Sequence, residues 1–167
     1  MAELICMDFN RHLKEMEKQG RCVFLPFEIQ SLHLKNIGKF IEKNIEFNKF
    51  NIIQGHIGSG KTTIIKSIAG ISGAQSLLKS EQNNGEINVT ASDGRRHHQD
   101  ICEAGDAQCI VLDDDVGEVL DSSHYARFLN YLRDLNVQVI LTRGNMTDEL
   151  NGLINRTFPD CRFIRLN

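Results

Sequence analysis

Asn51-Ile52-Ile53-Gln54-Gly55-His56-Ile57-Gly58-Ser59-Gly60-Lys61-Thr62-Thr63 runs from an apolar stretch through a glycine loop into a helical pattern. Gly55 through Thr62 fits G-x-x-x-x-G-K-[ST], the P-loop or Walker A pattern. Glycines let the backbone curl until its N–H groups point inward at phosphate oxygens. The helix that follows adds its positive N-terminal end. Such a loop works between a buried strand and a helix, so it constrains the fold of everything around it. Gly55, His56, Ile57, Gly58, Ser59, Gly60, Lys61, Thr62 and Thr63 are the candidate nucleotide-binding residues. Lys61 is expected to reach the β/γ-phosphates as a point charge, and the Thr62 hydroxyl to ligate Mg²⁺.

The chain has 167 residues, enough for one domain with its own core. A net charge of −3 gives no sign of a dedicated nucleic-acid binder, which carries a basic patch or a high pI. No apolar run approaches the length of a membrane span. The first residues lack a basic n-region and meet acid too early for a signal peptide, so a cytoplasmic protein is expected. Cys6, Cys22, Cys102, Cys109 and Cys161 contain no C-x-x-C pair and read as reduced, mostly buried thiols.

Residues 3–18 pattern as an amphipathic helix, with Ile5, Phe9, Leu13 and Met16 on one side and Arg11, Lys14, Glu15 and Lys18 on the other. Gly20 is its stop. This helix either packs on its own domain or docks a partner. Residues 1–20 are therefore taken as an N-terminal helix and 21–167 as the P-loop domain. Residues 22–26 read as a short apolar connection. Residues 28–34 alternate like a half-buried strand with Ile29, Leu32 and Leu34 as apolar members, residues 36–39 turn, and 40–47 form a second strand. Residues 50–54 are a third, buried strand that enters the loop. The following helix carries Ile64, Ile65, Ile68 and Ala69. Residues 72–84 are polar and irregular, 85–90 alternate again, and 92–94 turn. Arg95 to Asp100 is a polar run, a solvated loop or a loop near the site. Its paired histidines point apart on either regular element and make a poor metal site. Residues 108–112 are a continuous apolar run, as in a buried parallel strand. A helix with Tyr125, Phe128, Leu129, Leu132 and Leu135 follows, then a strand at 137–142, a helix capped by Thr147, and a closing strand at 162–166. Strands alternating with helices predict an α/β fold with a largely parallel sheet flanked by helices and a small antiparallel β part on the N-terminal side.

A P-loop needs a carboxylate for Mg²⁺ at the end of a neighbouring buried strand. Asp113-Asp114-Asp115 follows Ile110-Val111-Leu112 at such a place. Here a family resemblance emerges. Leu34 to Phe40, then Phe47, then Asn51 to Ile65 look like the first lobe of SMC-type, RecF-type and related ABC ATPase heads, in which two antiparallel strands precede the loop. Asp114-Asp115-Val116-Gly117-Glu118-Val119-Leu120-Asp121 is similar to the family's Walker B and D-loop. The resemblance implies that Asp114 is the Mg²⁺ carboxylate and that Asp115 orients the attacking water. Asp121 then lies at a dimer interface. A register one residue earlier makes Asp113 the metal carboxylate and Asp114 the base; the later one fits Leu120-Asp121. Gln99 lies at the spacing of the family's Q-loop glutamine, a further metal-site candidate.

The resemblance covers residues 28–166 with one gap. The chain lacks the room for the helical or coiled-coil lobe, and Glu103 to Gln108 is a poor match to its L-S-G-G-Q-like signature. His56 stands where Asn is common, and Arg143-Gly144 where a switch histidine is expected. The implied function is a minimal Mg²⁺-dependent ATPase head in which Lys61 and the loop amides take up charge on the phosphates. It would act as a homodimer or with a protein partner that supplies the missing trans groups. The alternative is a nucleotide-binding switch or scaffold subunit with little hydrolysis. A P-loop kinase using Arg95-Arg96 as lid arginines fits less well. ATP is the nucleotide the resemblance implies, since no guanine-reading N-K-x-D sequence is present.

Overall fold

The computed structural model describes residues 9–55, 59–69, 85–92, 106–113, 122–144 and 147–166. In order they form α1 (Phe9–Lys18), β1 (Cys22–Leu25), β2 (Ile29–Ile37), β3 (Phe40–Glu46), β4 (Phe50–Gln54), α2 (Lys61–Ala69), β5 (Glu86–Ala91), β6 (Cys109–Asp113), α3 (Ser122–Asp134), β7 (Gln138–Arg143), α4 (Asp148–Thr157) and β8 (Arg162–Arg165). The main sheet has the order β1-β6-β7-β4-β8. Its β6, β7, β4 and β8 run parallel, and β1 lies antiparallel on the edge. A second, antiparallel sheet has the order β3-β2-β5.

The interior strands β4 and β7 are buried almost throughout because both faces of the main sheet are covered. On one face, Ile53, Val111 and Ile140 meet Ile64, Ile65 and Ile68 of α2, together with Leu32, Leu34, Ile37 and Ile45 of the second sheet. On the other, Ile52, Ile110, Leu112 and Leu141 meet Leu13 and Met16 of α1, Tyr125, Phe128, Leu129 and Leu132 of α3, and Ile154 of α4. The described part of α1 is thus packed into the core, with the Phe9 ring 5.3 Å from that of Phe128. It stops where Gly20 turns left-handed at φ +75°. There Arg21 N–H donates to Met16 O (2.8 Å) and Gly20 N–H to Glu17 O (3.0 Å), the two bonds of a Schellman end.

Residues 50–54 form β4 with the expected bounds. Residues 22–25, expected as a connection, are instead the fully buried strand β1. A continuous apolar run this short has no periodicity to betray it. In β2, Ile29 and Leu32 are both buried although an odd spacing should put them on opposite faces. A register shift between Ile29 and Ser31 against β5 resolves the conflict, as a β-bulge does. Leu135, expected on the apolar face of α3, lies past its end and is 39% exposed. The cap at Thr147 is as expected, its Oγ1 accepting from Leu150 N–H at 3.1 Å. Cys22 and Cys109 are buried free thiols and Cys161 is partly buried. Residues 72–84 and 93–105, with Cys6, Cys102 and the double histidine, lie outside the described residues.

Two buried amides tie the second sheet and the β3–β4 connection to the main sheet. Gln138 accepts from Ile29 N–H (2.7 Å) and donates to Ile29 O (2.7 Å) and Asn48 O (2.9 Å). Asn51 accepts from Asn48 N–H (2.8 Å) and donates to Asn48 O (2.8 Å) and Val139 O (3.2 Å). Each side-chain amide bonds backbone groups of a neighbouring segment, so neither polar group is buried unpaired.

Candidate functional site

The carboxyl end of β4 delivers the chain into the glycine loop. Gly55 N–H donates to Arg143 O at 3.2 Å, and Leu166 N–H donates to Gln54 O at 2.8 Å, so the loop starts from a strand held on both sides. A Cβ on Gly55 would lie 2.2 Å from Ser59 Oγ, which only glycine avoids as the two ends of the loop close on each other. Gly60 sits at φ +104°, and a Cβ there would meet the Phe40 ring at 2.4 Å. Ile64 N–H donates to Gly60 O at 3.1 Å and closes the first turn of α2. The Lys61 ammonium reaches back across the loop and donates to Gly55 O. Ser59 is 1% exposed, and its hydroxyl has no hydrogen-bond partner among the described residues.

Two strands away, β6 ends at Asp113. Thr142 Oγ1 donates to Asp113 Oδ1 at 2.9 Å, across the paired ends of β6 and β7. The backbone of Asp113 is pinned from β1's side, its N–H donating to Arg21 O at 2.8 Å and its carbonyl accepting from Arg21 Nη2 at 3.2 Å. Side chains alternate along a strand, and Cys109 and Val111 face α2. The Asp113 carboxyl therefore stands on the P-loop helix side of the sheet. Strand spacing puts it about 10 Å from the end of β4. Arg143 has the opposite parity: it is buried, with its guanidinium 5.5 Å over the Tyr125 ring of α3.

The structure brings together Gly55, Ser59, Gly60, Lys61 and Thr63 of the expected site. Thr62 lies in the first turn of α2, with its side chain outside the described residues, as are His56, Ile57, Gly58, Gln99, Asp114, Asp115 and Asp121. Residues 106–108, the end of the poor signature match, lead into β6, with Gln108 N–H bonded to Leu25 O and its carbonyl accepting from Gln138 N–H. That is the end of the sheet away from the loop. Sequence reasoning gave no role to Thr142 or Phe40. Thr142 had a weak signal, a hydroxyl closing an apolar run, whereas Phe40 had none because its contact is with a residue far along the chain.

No helix among the described residues is long and apolar enough to cross a membrane. Comparison with curated protein sequences gives no match. Among solved structures, a similar one is that of the recombination mediator protein RecF-ATPrS in the RecFOR pathway, at 10% identity and a TM-score of 0.33. The match covers 68% of this chain and 40% of that one, so the chain spans well under half the length of that protein. A family model described as an AAA domain matches residues 31–147, from β2 through the glycine loop and the Asp113 strand to the start of α4. The chain resembles a P-loop ATPase head of the SMC/RecF type, and the family match takes in most of its length and both halves of the candidate site: the chain belongs to the AAA domain family.

Proposed function

We propose that the chain binds ATP with Mg²⁺ at its P-loop and hydrolyses it as one half of a composite site, the other half coming from a second copy or a protein partner. The observation that carries this is the joint placement of the Lys61 arch and the Asp113–Thr142 pair on the α2 side of the carboxyl strand ends. Ligands of open α/β sheets bind outside those ends. The loop fits a phosphate: Gly55 and Gly60 stand where a Cβ would collide, and the buried Ser59 hydroxyl has no partner among the described residues. Lys61 exchanges its loop carbonyl for phosphate oxygens, and the helix N-terminus adds further positive potential. Mg²⁺ would be held by Thr62 and one aspartate and would neutralise charge on the phosphates.

Two aspartate registers remain in play, each with its own support. The Leu120-Asp121 spacing favours Asp114 for the metal and Asp115 for the water. The Asp113 carboxyl, held on the α2 side by Thr142, favours Asp113 for the metal and Asp114 for the water. Asparagine at each position separates them, with Mg²⁺-ATP affinity and steady-state hydrolysis as readouts. Replacing the water-orienting residue is expected to keep binding and lower turnover by about 10²-fold or more. Replacing the metal carboxylate is expected to weaken Mg²⁺-dependent binding itself. Loss of function at 114 and 115 with 113 spared selects the first register; loss at 113 and 114 with 115 spared selects the second. A wild-type chain that binds no nucleotide sinks the proposal.

One observation favours a second reading, a nucleotide-binding switch with little turnover. Arg143 stands where a switch histidine is expected, yet its guanidinium lies over Tyr125 on the α3 side, away from Asp113. Tight wild-type binding with no turnover, unchanged by substitution of the water-orienting aspartate, selects the switch.

A further inference from the structure

The turn between β2 and β3 lies against the start of α2, and two glycines report how closely. A Cβ on Gly38 would come within 3.0 Å of both the methyl and the hydroxyl of Thr63. From the other side, a Cβ on Gly60 would meet Phe40 Cζ at 2.4 Å and Cε2 at 2.7 Å. Gly60 and Thr63 are three residues apart and share one face of the first turn of α2. The hairpin tip covers that face, and the Phe40 ring fills the space that a side chain at position 60 would take.

Gly60 needs such a neighbour. Its φ of +104° lies in a region open to glycine, but a glycine there has the widest choice of other conformations and the most entropy to lose. The bond from Ile64 N–H restrains it only through its carbonyl. We propose that Phe40 is a positioning residue for the P-loop, its ring holding Gly60 in the conformation from which Lys61 and the loop amides face the phosphates. This rests on the nucleotide reading of the loop given above. It makes the antiparallel sheet part of the binding site, because a loop ordered before its ligand arrives spends less of the binding free energy on ordering.

Phe40 also packs on the core shared by Ile37, Ile45 and Ile64, so its removal carries a stability cost of its own. Phe40→Leu separates the two roles. It keeps a branched apolar side chain on the core and lacks the distal ring atoms nearest Gly60. Three quantities are compared with wild type: the thermal midpoint, amide hydrogen exchange of a peptide covering residues 55–66 without nucleotide, and affinity for a fluorescent ATP analogue with Mg²⁺. The expected result is a midpoint close to wild type, faster exchange in that peptide alone, and affinity reduced about tenfold. Phe40→Ala should move the same two readouts further. Wild-type exchange in that peptide for both variants overturns the proposal. So does an exchange increase spread over the whole protein in step with lost stability, which marks Phe40 as core packing only. Should wild type bind no ATP, the nucleotide reading falls while the exchange comparison still decides whether Phe40 holds the loop.

Discussion

At the scale of single residues, burial sets chemistry more than residue type does. Lys61 and the Cys22 and Cys109 thiols make the contrast. Lys61 keeps its ammonium at the mouth of a polar loop, hydrogen-bonded to Gly55 O. Burial pushes both thiols far above the ordinary 9.0, with the charges of Glu17 near Cys22 and of Glu28 near Cys109 adding to the effect. Cys161, less enclosed, is pushed up to about 12. In the folded chain these thiols hold their protons, while in the unfolded chain they release them above pH 9.0. Their stabilising contribution is therefore complete below pH 9.0 and is lost as pH rises beyond it. Each fully buried thiol adds about 1.4 kcal/mol of lost stability per pH unit in that range. Urea unfolding between pH 8 and 10 should show a Cys22→Ala, Cys109→Ala double variant losing stability less steeply than wild type. Parallel slopes would show that the thiols titrate freely. Below pH 8 the two thiols should resist a disulfide reagent until the chain unfolds, since the thiolate is the reactive form.

At the scale of elements, Gln138 bonds the main sheet to the second one. Gln138 is 3% exposed and satisfies both backbone groups of Ile29 at the bulge, plus Asn48 O. Gln138→Leu keeps similar volume and strands both backbone groups of Ile29, while Asn48 O keeps its bond from Asn51. A buried polar group left unpaired costs about 1–3 kcal/mol. Partial relaxation at the open end of β2 should leave a net loss of about 2–4 kcal/mol in urea unfolding. A loss below 1 kcal/mol would mean that water replaces the amide. This join also marks how far the sequence could be read. Strand β4 was legible to the residue because Phe50, Ile52 and Ile53 form an apolar cluster bounded by Asn48-Lys49 and Gly55. The strand–glycine–helix passage was legible because its pattern is local, and the cap at Thr147 because a cap is local too. β1 was missed because CVFL is too short for periodicity and its partner β6 lies far along the chain. Gln138 looked like an ordinary polar residue opening a strand, since its role depends on the end of another sheet. The Asp113–Thr142 and Phe40–Gly60 contacts were hidden for the same reason: each pairs residues that only the folded topology brings together.

At the scale of the whole molecule, the topology sets the limits of what the chain does alone. Parallel β4, β7 and β6 bring the glycine loop and Asp113 to one edge, with α2 and the β2–β3 hairpin walling one side. The sequence offers no convincing signature segment, and residues 106–108, the described end of the nearest match, lie at the far end of the sheet from the loop. Arg143 is held on the α3 face. Under the proposed reading, the groups that close over a γ-phosphate come from another chain. If that chain is a second copy, nucleotide and association are linked: ATP with Mg²⁺ binds the dimer better than the monomer, so it must drive dimerisation. Light scattering should then report a single-chain mass without nucleotide and twice that mass with Mg²⁺-ATP. Specific hydrolysis should rise with protein concentration over the same range. Lys61→Ala, which removes the phosphate-binding cation without touching the core, should stay at the single-chain mass in both conditions. A mass that never changes, with hydrolysis strictly proportional to protein, excludes a self-completed site and assigns the missing half to a different protein. A nucleotide-independent dimer separates assembly from the loop altogether and moves the interface away from the carboxyl edge of the sheet.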